Sequence, residues 1–219
     1  MSGTNTKKTI YSFIGLPASG KGTQAKLLAE KLGVAKPIGI GDLVREVIDT
    51  DSTDPFVVEI KERYNAGTPQ PDSVAIDLLE KKLNAVNSDI ILDNFPFTTG
   101  QAKFLEDYVA SHEEMFNNPV IIYIKVDPDT AIRRTTLRKV CSECGQIFAA
   151  TDDMICEKCG GSLIVRSDDN VETVRTRIEH YLPKINEVID YLKNSDWKVA
   201  EINGETTPAE VSKEIANEL

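Results

Sequence analysis

Residues 15–23 read Gly15-Leu-Pro-Ala-Ser-Gly20-Lys21-Gly22-Thr23, a spacing suited to holding a chain of phosphates. Glycines let successive backbone N–H groups converge on phosphate oxygens without interference from side chains. The helix expected to follow adds its positive N-terminal end. The pattern G-x-x-x-x-G-K is the core of a P-loop, with the hydroxyl that usually follows the lysine displaced one place to Thr23. Gly15, Ser19, Gly20 and Gly22 then form the cradle, and Lys21 neutralises the β- and γ-phosphates. The Thr23 hydroxyl reaches the phosphates or Mg²⁺. The competing reading is a plain glycine turn before an amphipathic helix. Its position directly after the first strand-like run favours the phosphate site.

Three further sets of residues could do chemistry. Asp93 ends the apolar run Ile90-Ile-Leu92. There it is either a turn residue or, beside a P-loop, a carboxylate that holds Mg²⁺ through water. Cys141-x-x-Cys144 and Cys156-x-x-Cys159 are two knuckles separated by eleven residues. Two such tight turns deliver the four thiolates of a tetrahedral zinc site, aided by Gly145, Gly160 and Gly161. All four positions are then filled, so the zinc is structural and not catalytic. Disulfides and unliganded thiols are the alternatives, and a reducing compartment disfavours the former. Finally, six of the eight arginines lie between Arg133 and Arg177 and bracket the cysteines. In a chain of net charge −10, this is a local positive field suited to a phosphorylated ligand.

The elements that must position these residues alternate. Strand-like runs occur at Thr9–Ile14, Asp89–Leu92, Val120–Val126 and Trp197–Ile202. Helical spacing covers Lys21–Leu32, stopped by Gly33, then about Asp72–Val86, Thr99–Ala110 and Pro128–Lys139. Strands alternating with helices imply βαβ units and an α/β fold, with a mainly parallel sheet covered on both faces. A long helix is expected from near Asp169, with Asp169-x-x-Glu172 as a capping box, to about Leu192; Pro183 should kink or divide it. Two stretches fall outside the alternation and read as inserts: about Gly39–Gln70, mostly helical, and the cysteine-rich Val140–Ser167. His112 and His180 read as helix-surface residues.

Bulk properties narrow the function classes. The 219 residues, 41% apolar and 27% charged, suit one globular core with small inserts. The negative charge argues against a nucleic-acid partner. No apolar run reaches the roughly 18 residues of a membrane span. Met1–Lys8 is polar and unlike a secretory signal, so a cytoplasmic protein is expected.

Together these residues resemble the adenylate kinase family of nucleoside monophosphate kinases across almost the whole chain. Lys21-Gly22-Thr23-Gln24 is similar to that family's P-loop. Gly41-Asp42-Leu43-Val44-Arg45 is similar to its acceptor motif, with Arg45 on the acceptor phosphate and Gly67 in the same acceptor set. Asp93-Asn-Phe-Pro96 and Gln101 resemble Asp-Gly-Phe-Pro-Arg followed by a base-reading glutamine. Arg134 and Arg138 match donor-site arginines, one against the base and one on the phosphates. Arg166, Asp168, Asp169 and Arg177 match a lid-edge set whose arginines reach the transferring phosphoryl. The resemblance implies a P-loop NTPase fold with a five-stranded parallel sheet. The core would be 1–38, 69–139 and 170–219, the acceptor-binding insert 39–68, and the zinc-bearing lid 140–169. It implies Mg²⁺ with ATP, one structural zinc, closure on ligands and a monomer. Lys21, Arg138, Arg166 and Arg177 would carry catalysis by positioning and charge stabilisation.

Three departures cluster in the acceptor set. Phe97 stands where the family has an arginine, Asn94 where it has a glycine, and Ile40 where it typically has a threonine. Losing one charge-assisted hydrogen bond of roughly 1.5–3 kcal/mol weakens binding about ten- to a hundredfold. AMP, another small acceptor, and a weakly active ATP-binding sensor are the three functions consistent with this pattern.

Overall fold

A computed structural model describes residues 7–50, 52–66, 68–165 and 169–219. Its main sheet has five parallel strands: β1 (Ile10–Gly15), β2 (Ile38–Gly39), β3 (Ile90–Asp93), β4 (Val120–Lys125) and, near the end of the chain, Lys198–Asn203. The cysteine-rich segment contributes three short strands, β5 (Lys139–Cys141), β6 (Ile147–Phe148) and β7 (Leu163–Ile164), so the last strand of the main sheet is β8. The main sheet runs in the order β2-β3-β1-β4-β8. The fold is thus the α/β, P-loop NTPase arrangement. Four of its strands were visible as apolar runs. The fifth, β2, has two residues, too short for any periodicity to show.

The helices are α1 (Lys21–Leu32), α2 (Ile40–Ile48), α3 (Pro55–Asn65), α4 (Asp72–Leu83), α5 (Thr99–Ser111), α6 (Pro128–Leu137), α7 (Val171–Lys193) and α8 (Pro208–Glu218). Alternation along the strands assigns them to faces. Phe13, Ile122, Ile124, Ala200 and Ile202 pack with Ala25 and Leu28 of α1 and Val211 and Ile215 of α8. Ile14 and Ile121 point the other way, into Val174, Ile178, Ile185 and Val188 of α7. Ile10, Ile90 and Leu92 meet Leu79 and Leu83 of α4 and Leu105 of α5.

Helix ends follow local chemistry. Gly33 stops α1 at φ 63°, its N–H reaching the Ala29 and Glu30 carbonyls. Thr98 caps α5 by accepting from Gln101 N–H. The helix α8 opens with a reciprocal capping box between Thr207 and Glu210 and Pro208 in its first turn.

The start of α7 corrects the sequence reading. Asn170, not Asp169, caps it, accepting from Thr173 N–H at 2.9 Å. Asp169 is drawn inward by a stronger partner, described below. Nor does Pro183 divide α7, which runs continuously from Val171 to Lys193. Pro183 lies on the exposed side, where the carbonyl freed by its missing N–H can face water. His180 is exposed, as expected. His112 is half-buried, its ring stacked on Tyr108 with centroids 4.4 Å apart.

Candidate active site

The loop between β1 and α1 lies at the carboxyl end of the central strand, where strand order reverses and ligands of open α/β sheets bind. Space calls for glycine at two positions of the loop and backbone conformation at a third. A Cβ at Gly15 would stand 2.6 Å from the Ile124 carbonyl oxygen and 2.8 Å from Ser19 Oγ. Gly20, at φ 100°, caps α1 without a side chain. A Cβ at Gly22 would lie 3.1 Å from Asp93 Oδ2. Gly22 therefore makes room for the β3 carboxylate beside the start of α1, a physical reason for the displaced hydroxyl at Thr23.

Strand register brings Asp93 there, because Phe13 pairs with Asp93 in the parallel β1–β3 ladder. Burial raises the Asp93 carboxyl above the usual carboxylate range, opposed by the nearby Lys21 charge. Burial likewise lowers the Lys21 ammonium, opposed by Asp93 and assisted by Arg138. Lys21 Nζ donates to the Leu16 carbonyl at 3.1 Å. Among the described residues, Ser19 Oγ and Asp93 Oδ1 are buried with no hydrogen-bond partner. A buried orphan oxygen is costly unless a ligand, ion or water completes it, so these two suit a phosphate chain with its metal. Thr23 is exposed on the first turn of α1.

The arginines divide. Arg138, at the end of α6, makes a bidentate pair with Asp169 at 2.7 and 2.8 Å. The Arg138 side chain is 13% exposed and that of Asp169 not at all. This pair is what takes Asp169 out of the α7 cap. It also fixes Arg138 near Lys21 while leaving the outer guanidinium N–H groups for a ligand. Arg134 donates to the Gly204 carbonyl at 2.8 Å. Arg177 lines the second half of the site. Gly67, Arg166 and Asp168 lie outside the described residues.

That second half is a cavity of about 510 Å³ between α2, α5 and α7. Ile40, Asn94, Phe97, Gln101 and Arg177 all line it, so five of the expected acceptor residues do converge. Arg45 stands beside it, held by Asp42 and by Tyr64, whose hydroxyl is 3.3 Å from Nη1. Asn94 adopts φ 64°, the left-handed backbone that asparagine tolerates in place of glycine. Phe97 is 8% exposed and packs into the α7 core. Its ring meets Tyr181 edge-on at 4.7 Å, and the Lys184 ammonium lies 5.6 Å from the ring centroid. Gln101 is 4% exposed, its amide held by the Phe97 N–H and by Asp72. Tyr181 and Asp72 were missed by sequence reasoning. For Tyr181 a signal existed: Thr173, Arg177 and Tyr181 repeat every four residues on one face of α7.

The four cysteines come together, with all Sγ atoms within 4.8 Å of one another. Cys141 and Cys159 are 3.4 Å apart, Cys144 and Cys156 3.7 Å. Four sulfurs about 2.3 Å from one tetrahedral ion would be separated by roughly 3.8 Å, so the cluster fits such an ion. Gly145 and Gly160, at φ 67° and 76°, close the two knuckle turns onto the Cys141 and Cys156 carbonyls. N–H groups of Cys144 and Glu143 hold the Cys141 thiol down to about 6. The Gly161 N–H pulls Cys159 the same way, but the other three sulfurs outweigh it and push it up to about 12. Thiolates crowded in this way need a cation to ionise together. The surrounding core is small: Cys141, Cys156, Leu163 and Phe148 between the strands β6-β5-β7.

Comparison with known proteins agrees with this geometry. A family model described as adenylate kinase matches residues 13–197. An adenylate kinase of Fervidobacterium nodosum is 33% identical over 214 residues, covering 94% of this chain and 95% of its own. One of Thermotoga neapolitana is 34% identical over 186 residues, covering 82% and 83%. One of a Geobacillus strain is 32% identical over 209 residues, covering 92% and 94%. Among the described residues, no helix is long and apolar enough to cross a membrane. A family model over most of the chain and relatives a third identical along nearly its whole length thus show that this chain belongs to the adenylate kinase family.

Proposed function

We propose that this enzyme transfers the terminal phosphoryl of Mg·ATP to AMP, giving two ADP. The observation that carries the reading is the joining of two half-sites at one end of the sheet. A glycine cradle with Lys21 and Asp93 lies on one side, and a cavity lined by Gln101 and Arg177 on the other. The relatives named adenylate kinase support the same reaction.

In this proposal Gly15, Ser19, Gly20, Gly22 and Thr23 hold the ATP phosphates, and Arg134 faces the donor base. Asp93 and Thr23 would hold Mg²⁺, which when bound offsets charge on the phosphate oxygens. Lys21 and Arg138 steady the donor phosphates from the core. Arg45 and Arg177 hold the acceptor phosphate, and Arg166 joins them when the lid closes. Catalysis is positioning and charge stabilisation in a site closed to water, with no general base. The cysteine cluster would hold one structural Zn²⁺, giving residues 140–169 the rigidity that their few core residues cannot. The insert 39–68 and that lid would move against the core (1–38, 69–139 and 170–219), and the working unit is a monomer.

A second reading rests on Phe97 and Ile40, which give the cavity an apolar wall where AMP kinases place polar groups. It keeps the ATP donor and changes the acceptor. One experiment separates the readings: incubate the protein with Mg·ATP and a panel of nucleoside monophosphates, following ADP and the diphosphates formed. AMP turnover supports the first reading, turnover of another acceptor the second, and ATP binding without turnover a sensor in place of an enzyme. Metal content well below one ion per chain would sink the four-thiolate lid.

A further inference from the structure

We propose, resting on the monophosphate-acceptor reading above, that Asp72 is a positioning residue for acceptor specificity. It locks the Gln101 amide in one orientation, and that orientation selects amino bases over oxo bases.

The hydrogen bonds form a closed ring. Phe97 N–H donates to Gln101 Oε1 at 2.8 Å. Gln101 Nε2 donates to Asp72 Oδ1 at 2.9 Å. The Thr98 hydroxyl donates to Asp72 Oδ2 at 2.7 Å while accepting from Gln101 N–H at 3.2 Å. Asp72 itself opens α4, and Thr98 caps α5, so one carboxylate sits where two helices present their positive ends. Room for it comes from Gly100, where a Cβ would stand 2.8 Å from Asp72 Oδ2.

An amide in this ring has one stable orientation. Turned over, its NH₂ would face the Phe97 N–H and its oxygen would face the Asp72 carboxylate. Two hydrogen bonds would become donor–donor and acceptor–acceptor contacts in a buried position. The ring uses one lone pair of Oε1 and one hydrogen of Nε2. The second lone pair and the second hydrogen remain, on a side chain that lines the cavity. Fixed in that order, they match a base edge with an exocyclic amine beside an unprotonated ring nitrogen, as in adenine and cytosine. Guanine and uracil present a carbonyl beside a ring N–H, the reverse order. A glutamine free to turn could accept either edge. Asp72 therefore converts a tolerant amide into a selective one, and it does so without lining the cavity itself.

The test is the base dependence of KM for AMP, CMP, GMP and UMP in the full-length protein. Wild type should favour AMP over GMP. Asp72→Ala should raise the AMP KM about tenfold, leave the ATP KM within about twofold, and cut the AMP-over-GMP preference about tenfold. Asp72→Asn, which keeps one acceptor for Gln101, should recover much of the preference. Gly100→Ala displaces the same carboxylate and should lower the preference as well; it decides the matter if Asp72→Ala does not fold. An unchanged AMP-over-GMP ratio in the folded variants overturns this inference alone. So does a rise of the ATP and AMP KM values together, the sign of a purely structural role. A wild type that turns over no monophosphate overturns the acceptor reading and this inference together.

Discussion

The two halves of the site differ in where their paired and unpaired polar groups lie. On the donor side the backbone makes the cradle, and buried oxygens of Ser19 and Asp93 have no hydrogen-bond partner among the described residues. On the acceptor side several polar groups are occupied with one another, Gln101 with Phe97 and Asp72 and Arg45 with Asp42 and Tyr64, while Gln70 Oε1 on the cavity wall is buried with no partner among the described residues. A cradle of orphaned oxygens and converging N–H groups gains its full hydrogen-bond energy when a ligand arrives. A site of internally paired groups gains only the difference between old and new partners. In the proposed reaction the donor half would then hold more binding energy in reserve, and the acceptor half more selectivity. Changes on the donor side should be felt in turnover, and changes on the acceptor side in which molecule is accepted.

The largest expected effect lies on the seam between the halves. Arg138 and Asp169 form a buried, bidentate pair that ties the end of α6 to the start of α7. Removing one partner leaves the other charge buried alone, a loss of about 3–5 kcal/mol. Asp169→Ala should lower the unfolding midpoint by about 6 °C or more in a chain of this size. A midpoint within about 1 °C of wild type would show that the pair organises neither half. Next comes Lys21→Met, which removes the donor-side charge without removing a core side chain. It should lower kcat about 10²- to 10³-fold, with the AMP KM changed less than about threefold. Equal loss in both constants would erase the proposed division of labour.

Legibility in the sequence follows the same division. The donor half could be read because a phosphate cradle is built from consecutive residues. Gly15 to Thr23 and the strand-end Asp93 announce themselves by type and spacing, and the cysteine knuckles are local in the same way. The acceptor half is assembled from α2, α4, α5 and α7, and its logic is in pairings across the chain. Nothing near Asp72 hints that it will meet Gln101, 29 residues away. Asp169 was mistaken for a cap because a carboxylate three residues before a glutamate fits that local pattern; only the fold reveals that Arg138 competes for it. Ile40, Asn94, Phe97, Gln101 and Arg177 line one cavity, a grouping that the family resemblance suggested and local chemistry did not. Short elements such as β2 were invisible for want of residues, while α8 was overlooked although Thr207 and Glu210 signalled its start.

Of intermediate size is the effect of restoring charge at position 97. Phe97 gives the acceptor cavity an aromatic wall against Tyr181, with the Lys184 ammonium over its ring. Phe97→Arg adds a guanidinium beside Arg177 and should lower the AMP KM about tenfold, the value of one charge-assisted hydrogen bond. It also places a charge in the α7 core, so the unfolding midpoint should fall by several degrees. An unchanged AMP KM in the folded variant would mean that Phe97 is not what limits AMP binding. The apolar wall would then have to be read as serving some other acceptor.

The smallest effect distinguishes a chemical change from a conformational one within the same three positions. Asn94 differs from the family's glycine, yet its backbone sits at φ 64°, where glycine is at ease and asparagine is tolerated. Asn94→Gly relieves slight backbone strain but adds freedom to the unfolded chain, and these nearly cancel. The expected change is below about 0.5 kcal/mol in stability, with AMP kinetics essentially unaltered. Asn94→Ala, which has neither glycine's freedom nor asparagine's local hydrogen bonding, should cost about 1–2 kcal/mol at the same backbone angle. If Asn94→Gly instead moves the AMP KM as far as Phe97→Arg does, the asparagine side chain is an acceptor ligand. The departure at Phe97 would then be only half of a coordinated change in what the cavity takes.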